Sequence, residues 1–132
     1  MVTICSETRQ LKDTVLNLQA ATGVTDQTNY GNDGTYTNGA SVVDDAFEFD
    51  GTNDYIDCGN DDSLDITGNL TVSAFVRVDA LPPPSGDTRS VIVAKGGLSA
   101  PEGFHLGFTS TGELRWFTYT GAALKGVMWT HN

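Results

Sequence analysis

Seventeen of the 132 residues are Asp or Glu, and their placement decides what chemistry the chain can offer. Asp26, Asn32, Asp33, Asp50 and Asp54 stand among Gly, Asn and Thr in two turn-rich stretches. Calcium takes several oxygen ligands, carboxylate and carbonyl, so such stretches are where it would bind. The spacing is not that of an EF-hand. Asp and Asn also shape turns unaided, by bonding their own backbone. That plainer role suits most of these carboxylates. Two histidines, His105 and His131, are present, and neither lies in a nucleophile motif. His105 alternates out from Phe104 and Leu106, which sends it towards solvent or a second sheet face. Cys5 and Cys58 have no zinc-like spacing. Cys58 follows Ile56 in an alternating run, a position for a small buried hydrophobe. Its pairing with Cys5 stays open, because sequence carries no disulfide geometry. No Gly-rich phosphate loop follows a strand and opens a helix. Sugars are recognised by aromatic faces beside a few polar groups. Tyr30, Tyr36 and Tyr55 are the ligand-binding candidates, while Trp116 and Trp129 read as core.

These residues need strands and turns to hold them. Residues 1–12 are mixed and polar and read as an N-terminal arm. Residues 7–18 are the one segment with some helical character. Residues 15–19 (VLNLQ) alternate like a short strand. Residues 23–39 are dense in turn chemistry, with Asp33-Gly34 and Asn38-Gly39 as tight-turn dipeptides around a short strand at 35–37. At 46–50 Phe47 and Phe49 share one face. At 55–58 Ile56 and Cys58 oppose Tyr55 and Asp57. Residues 59–68 form an acidic loop that Leu64 and Ile66 anchor. Residues 70–78 (LTVSAFVRV) are the strongest strand pattern, with Leu70, Val72, Ala74, Val76 and Val78 on one face. After a Pro-rich loop at 80–88, strands follow at 90–95, 103–109, 113–119 and 126–130, with Thr111-Gly112 as a hairpin turn. About eight short strands with turns between them predict an all-β fold, an antiparallel β-sandwich of jelly-roll type.

Length allows one domain with a real core. The net charge of −10 disfavours nucleic acid, which needs a basic footprint, and anionic membranes. No run is apolar and long enough for membrane insertion, and Met1 is not followed by a signal peptide.

Four segments carry a resemblance. DQTNYGNDGTYTNG at 26–39 is similar to a D-x-S-G-x-G-N-x-G-T turn. FEFDGTNDYIDCG at 47–59 is similar to F-D-G-T-x-D-Y-V. LTVSAFVRV at 70–78 is similar to an hT-hS-hW-hK strand, with Phe75 in the usual Trp place. GVMWTHN at 126–132 is similar to G-x-W-x-H-V-A. Together and in this order they resemble the laminin-G-like jelly rolls of the concanavalin A-like lectin/glucanase superfamily. The resemblance implies a domain over 13–132 that is incomplete, because that family continues past the Trp-x-His segment. It implies a lectin-like module that binds a glycan or surface protein, outside the cell or on a particle. The alternative is a structural virion surface protein, a capsid decoration or tail-fibre component, whose sheet is completed by self-association in a larger assembly. It also brings the two turns together, with Asp26, Asn32 and Asp54 as ligands of a structural calcium. No cofactor is required. Catalysis by the glucanase pattern E-x-D-x-x-E is not expected. Glu48 and Asp50 match its first two places, but Asn53 stands where the second Glu is needed, and hydrolysis requires both carboxylates.

Overall fold

The structure is a computed structural model of the chain and describes residues 2–3, 13–82, 89–96, 102–120 and 123–129. It is all-β in content, 39% strand against 6% helix. The helical residues among those described are two single turns of 3-10 helix, Ala20–Thr22 and Asp62–Leu64. No helix among the described residues is long and apolar enough to cross a membrane. The chain divides into two compact units, Met1–Arg77 and Val78–Asn132.

Among its described residues the first unit holds six short strands: β1 (Val2–Thr3), β2 (Thr35–Thr37), β3 (Ser41–Val43), β4 (Ala46–Glu48), β5 (Tyr55–Asp57) and β6 (Phe75–Val76). One sheet has the order β3-β4-β1-β6, and β2 pairs with β5 in another. All pairings are antiparallel. Part of the expected N-terminal arm is therefore sheet, since Val2–Thr3 lie between β4 and β6. The β3–β4 hairpin turns at Asp44 and Asp45, with φ of 48° and 58°. Positive φ at both central residues is the mark of a type I′ turn, whose twist suits a hairpin. The core is small. Leu18, Ala20 and Phe47 are buried together, and Leu16, Val24, Ile56 and Cys58 pack on them. Gly34 lies so close to this cluster that a Cβ there would stand 2.5 Å from Ile56 Cγ2.

Several expectations change here. The strand expected over 15–19 is reduced to one bridge between Leu18 and Asp26. Residues 13–18 are not helical, and the rest of the 7–18 segment lies outside the described residues. Phe49 falls beyond the end of β4 and is exposed, although Phe47 is 2% exposed. Ile66 is exposed, so only Leu64 of the two expected anchors is half-buried. Over 70–78 the side chains alternate as expected, Leu70, Val72, Ala74 and Val76 half-buried and the residues between them exposed. Val78, expected on the inner face, is exposed. Among the described residues, however, only Phe75–Val76 of this run are in a ladder, beside Val2–Thr3.

The second unit is a meander of long strands: β7 (Arg89–Lys95), β8 (Glu102–Thr109), β9 (Leu114–Thr120) and β10 (Ala123–Trp129), in the order β10-β9-β8-β7. A bulge between Val91 and Val93 interrupts the β7–β8 register. The β8–β9 turn is at Thr111-Gly112 as expected, with Gly112 at φ 82° and its N–H bonded to the Thr109 carbonyl. Phe104 stacks on Trp116 with ring centres 5.3 Å apart. His105, expected to face solvent or a second sheet face, is buried, together with Gly107 and Thr109 on its side of β8. Alternation assigns residues to two faces and does not say which face is covered. Trp129, expected in the core, is 52% exposed. His131 and Cys5 lie outside the described residues.

Candidate functional site

The turns at 23–39 and 50–65 carry most of the expected site residues, and carboxylates organise them. Asp26 is 6% exposed. Its Oδ1 accepts the backbone N–H of Asn17 (2.9 Å) and of Thr28 (3.0 Å). Its Oδ2 accepts the Thr28 hydroxyl (2.6 Å) and the Asn32 N–H (2.9 Å). Four donors are about the capacity of a carboxylate. The Asp26 N–H in turn donates to Asp33 Oδ1 at 2.8 Å. Burial pushes the Asp26 carboxyl up. The hydrogen bonds from Thr28, Asn17 and Asn32 outweigh it and hold the group below the usual carboxylate range.

Asn32 extends this arrangement. It is 4% exposed, and its side-chain amide donates to the Val15 carbonyl (2.7 Å) and to Ser63 Oγ (2.9 Å). The acidic loop is thereby tied to the Asp26 turn. Ser63 is itself set by Asp61, whose Oδ1 accepts the Ser63 N–H and caps the 3-10 turn. Thr28, Ser63 and Val15 escape a reading of the sequence, since nothing in their spacing couples positions up to 31 apart.

Asp54 organises a second clamp. Its Oδ1 accepts the Gly39 N–H (2.8 Å) and its Oδ2 the Asp50 N–H (3.0 Å). Asp50 Oδ1 accepts the Thr52 N–H at 2.7 Å. Asn38 donates its side-chain amide to the Asn53 carbonyl. The three residues expected as calcium ligands thus fall into two settings. Asp26 and Asn32 are bonded to each other, and Asp54 belongs to the other clamp. Among the described residues no group of three or more His, Cys, Asp or Glu is placed to hold a metal ion. Cys58, a free thiol packed against the core cluster, is pushed up to about 11 by burial and by the Asp57 and Asp26 carboxylates.

The three tyrosines divide as well. In the β2–β5 ladder Tyr36 faces Ile56, and Tyr55 faces Thr37. Adjacent residues of a strand point to opposite faces. Tyr36 lies on the core side, with its ring 6.4 Å from that of Phe47. Tyr55 is on the outer side, 52% exposed, in the company of Thr35, Thr37 and Asp57. Tyr30 is 54% exposed, on a turn whose N–H groups are taken by Asp26 and Thr28.

No protein family, curated protein or solved structure matches this chain. The resemblance in the four quoted segments therefore stands on those residues alone.

Glu48 and Asp50 are the carboxylates nearest the glucanase pattern. Glu48 is exposed on β4, and Asp50 Oδ1 is engaged by the turn that follows it. What the arrangement does is fix backbone: six Asp side chains, at 26, 33, 50, 54, 57 and 61, accept main-chain N–H groups.

Proposed function

We propose that this chain is a non-catalytic binding module, a laminin-G-like β-sandwich that presents an aromatic face to a glycan or a surface protein. The outer face of β2–β5 carries the proposal. There Tyr55 stands exposed among Thr35, Thr37 and Asp57. An aromatic ring flanked by hydroxyls and a carboxylate is the composition that sugar recognition uses. Tyr30, on its carboxylate-fixed turn, is a second exposed ring. Ordered turns cost a ligand less on binding than loose ones. A glycan array followed by calorimetry tests the reading. A sugar that binds the wild type is expected to lose about tenfold in affinity with Tyr55→Ala. Tyr36→Ala, on the core side, is expected to affect stability instead. Binding unchanged by Tyr55→Ala and Tyr30→Ala overturns it, and no glycan bound removes the glycan and leaves only the surface protein.

A particle-surface role is the second reading. It draws on the edge position of β10, where Val127 and Trp129 are each 52% exposed. A neighbouring subunit that adds a strand there would complete the sheet. Light scattering separates the two readings: a large symmetric assembly favours this one, and a monomer removes it. Structural calcium remains part of the first reading only as an addition, because backbone N–H groups already occupy the turn carboxylates.

A further inference from the structure

Asn38-Gly39 is the dipeptide most prone to spontaneous deamidation, and its surroundings bear directly on that reaction. Deamidation begins when the backbone nitrogen of the following residue loses its proton and attacks the Asn side chain. A bond forms from Gly39 N to Asn38 Cγ, the Cγ–Nδ2 bond breaks, and ammonia leaves. The resulting succinimide is opened by water at either carbonyl, to aspartate or to isoaspartate. Both nitrogens involved are committed in the folded turn. The Gly39 N–H donates to Asp54 Oδ1 at 2.8 Å, and an anionic acceptor makes that proton harder to remove. Asn38 Nδ2 donates to the Asn53 carbonyl. Asn38 is also held at φ 59°. A Cβ at position 39 would stand 3.1 Å from Asp54 Oδ1, so the carboxylate would have to give by a few tenths of an ångström. Glycine at position 39 thus lets the Asp54 carboxylate approach the backbone closely.

We propose that Asn38 is a modification site gated by this clamp, converted to aspartate or isoaspartate only when the Asp54–Gly39 contact opens. The change is one-way. A carboxylate at position 38 has no donor for the Asn53 carbonyl and adds a negative charge beside Asp54, so the clamp does not re-form as before. The proposal is independent of what the module binds. It makes the β2–β3 turn a chemical record of how often that turn has opened.

Peptide mass spectrometry of protein aged at neutral pH tests it. In the folded wild type, deamidation at Asn38 is expected to be slower than in the same chain held in urea by about tenfold or more, in proportion to the rarity of the open turn. Asp54→Ala, shown to be folded by circular dichroism, is expected to bring the rate close to that of the unfolded chain. Should that variant fail to fold, sub-denaturing urea on the wild type gives the same information. Gly39 amide exchange and Asn38 deamidation should then rise together. A folded wild type that deamidates as fast as the unfolded chain overturns the proposal. So does a folded Asp54→Ala no faster than wild type, or deamidation that stays flat while Gly39 exchange rises.

Discussion

Among the described residues, the longest ladder in the unit Met1–Arg77 pairs three residues, and in Val78–Asn132 each ladder pairs six or seven. The charge divides the same way. Thirteen of the seventeen acidic residues but only three of the seven basic ones lie at or before position 77. The first unit thus carries the whole net charge of −10, and the second has none. The two facts are connected. Where ladders are short, backbone N–H groups need other acceptors, and in the first unit Asp carboxylates supply them. Where ladders are long, the backbone satisfies itself, and side chains are left to pack. One unit depends on charge and the other on close approach of strands, so different perturbations should break them.

The largest effect is expected at Asp26. Asp26→Ala removes the acceptor of four donors at a 6% exposed position. Leaving such groups unpaired should cost about 3 kcal/mol or more. Hydrogen exchange should show the loss at the Asn17, Thr28 and Asn32 amides, with β8 and β9 unchanged. The matching test in the second unit is Gly107→Ala. A Cβ there would stand 2.5 Å from the Ser90 carbonyl oxygen, on backbone that has little room to yield. The expected cost is about 2 kcal/mol, seen in urea unfolding as lost protection along β7 and β8. Loss of the Asp26 turns in the Gly107 variant would break the comparison by showing that the two units unfold together. The smallest effect concerns Cys58. With its thiol pushed up to about 11, little thiolate exists at neutral pH. Labelling by iodoacetamide should be slow in the folded chain and should accelerate on unfolding. Rapid labelling of the native protein would mean that the Leu18–Phe47 cluster does not cover the sulfur.

The sequence displays these two regions unequally. The runs read as strands at 90–95, 103–109 and 113–119 and the Thr111-Gly112 turn announce the second unit's strands, because each pairs with its neighbour in the chain. In the first unit pairing is not local. β1 joins β4 and β6 from the far end of the chain, and nothing in Val2–Thr3 signals it. β3 has three exposed residues and no alternation, and its turn uses Asp44-Asp45 where Asn-Gly is the usual mark. Of the site, Asp26, Asn32 and Asp54 are legible as turn residues, and Tyr55 as an outward position. What they bond is not, since Asn32 meets Ser63 and Asp54 meets Gly39 only through the fold. The split of Tyr36 from Tyr55 follows from strand alternation once the β2–β5 register is known.

The dependence of the first unit on its carboxylates is tested most directly by pH. Asp26 is held below its ordinary range when folded, so the unfolded chain binds its proton first as pH falls. The stability it contributes is complete above about pH 4, the unfolded value. It is lost as pH drops through the lower folded value. Protection factors of the Asn17, Thr28 and Asn32 amides should therefore fall below about pH 4, while those in β8 and β9 hold. Loss of both sets at the same pH, or retention of the Asp26-bonded amides after its carboxyl has titrated, would contradict the account.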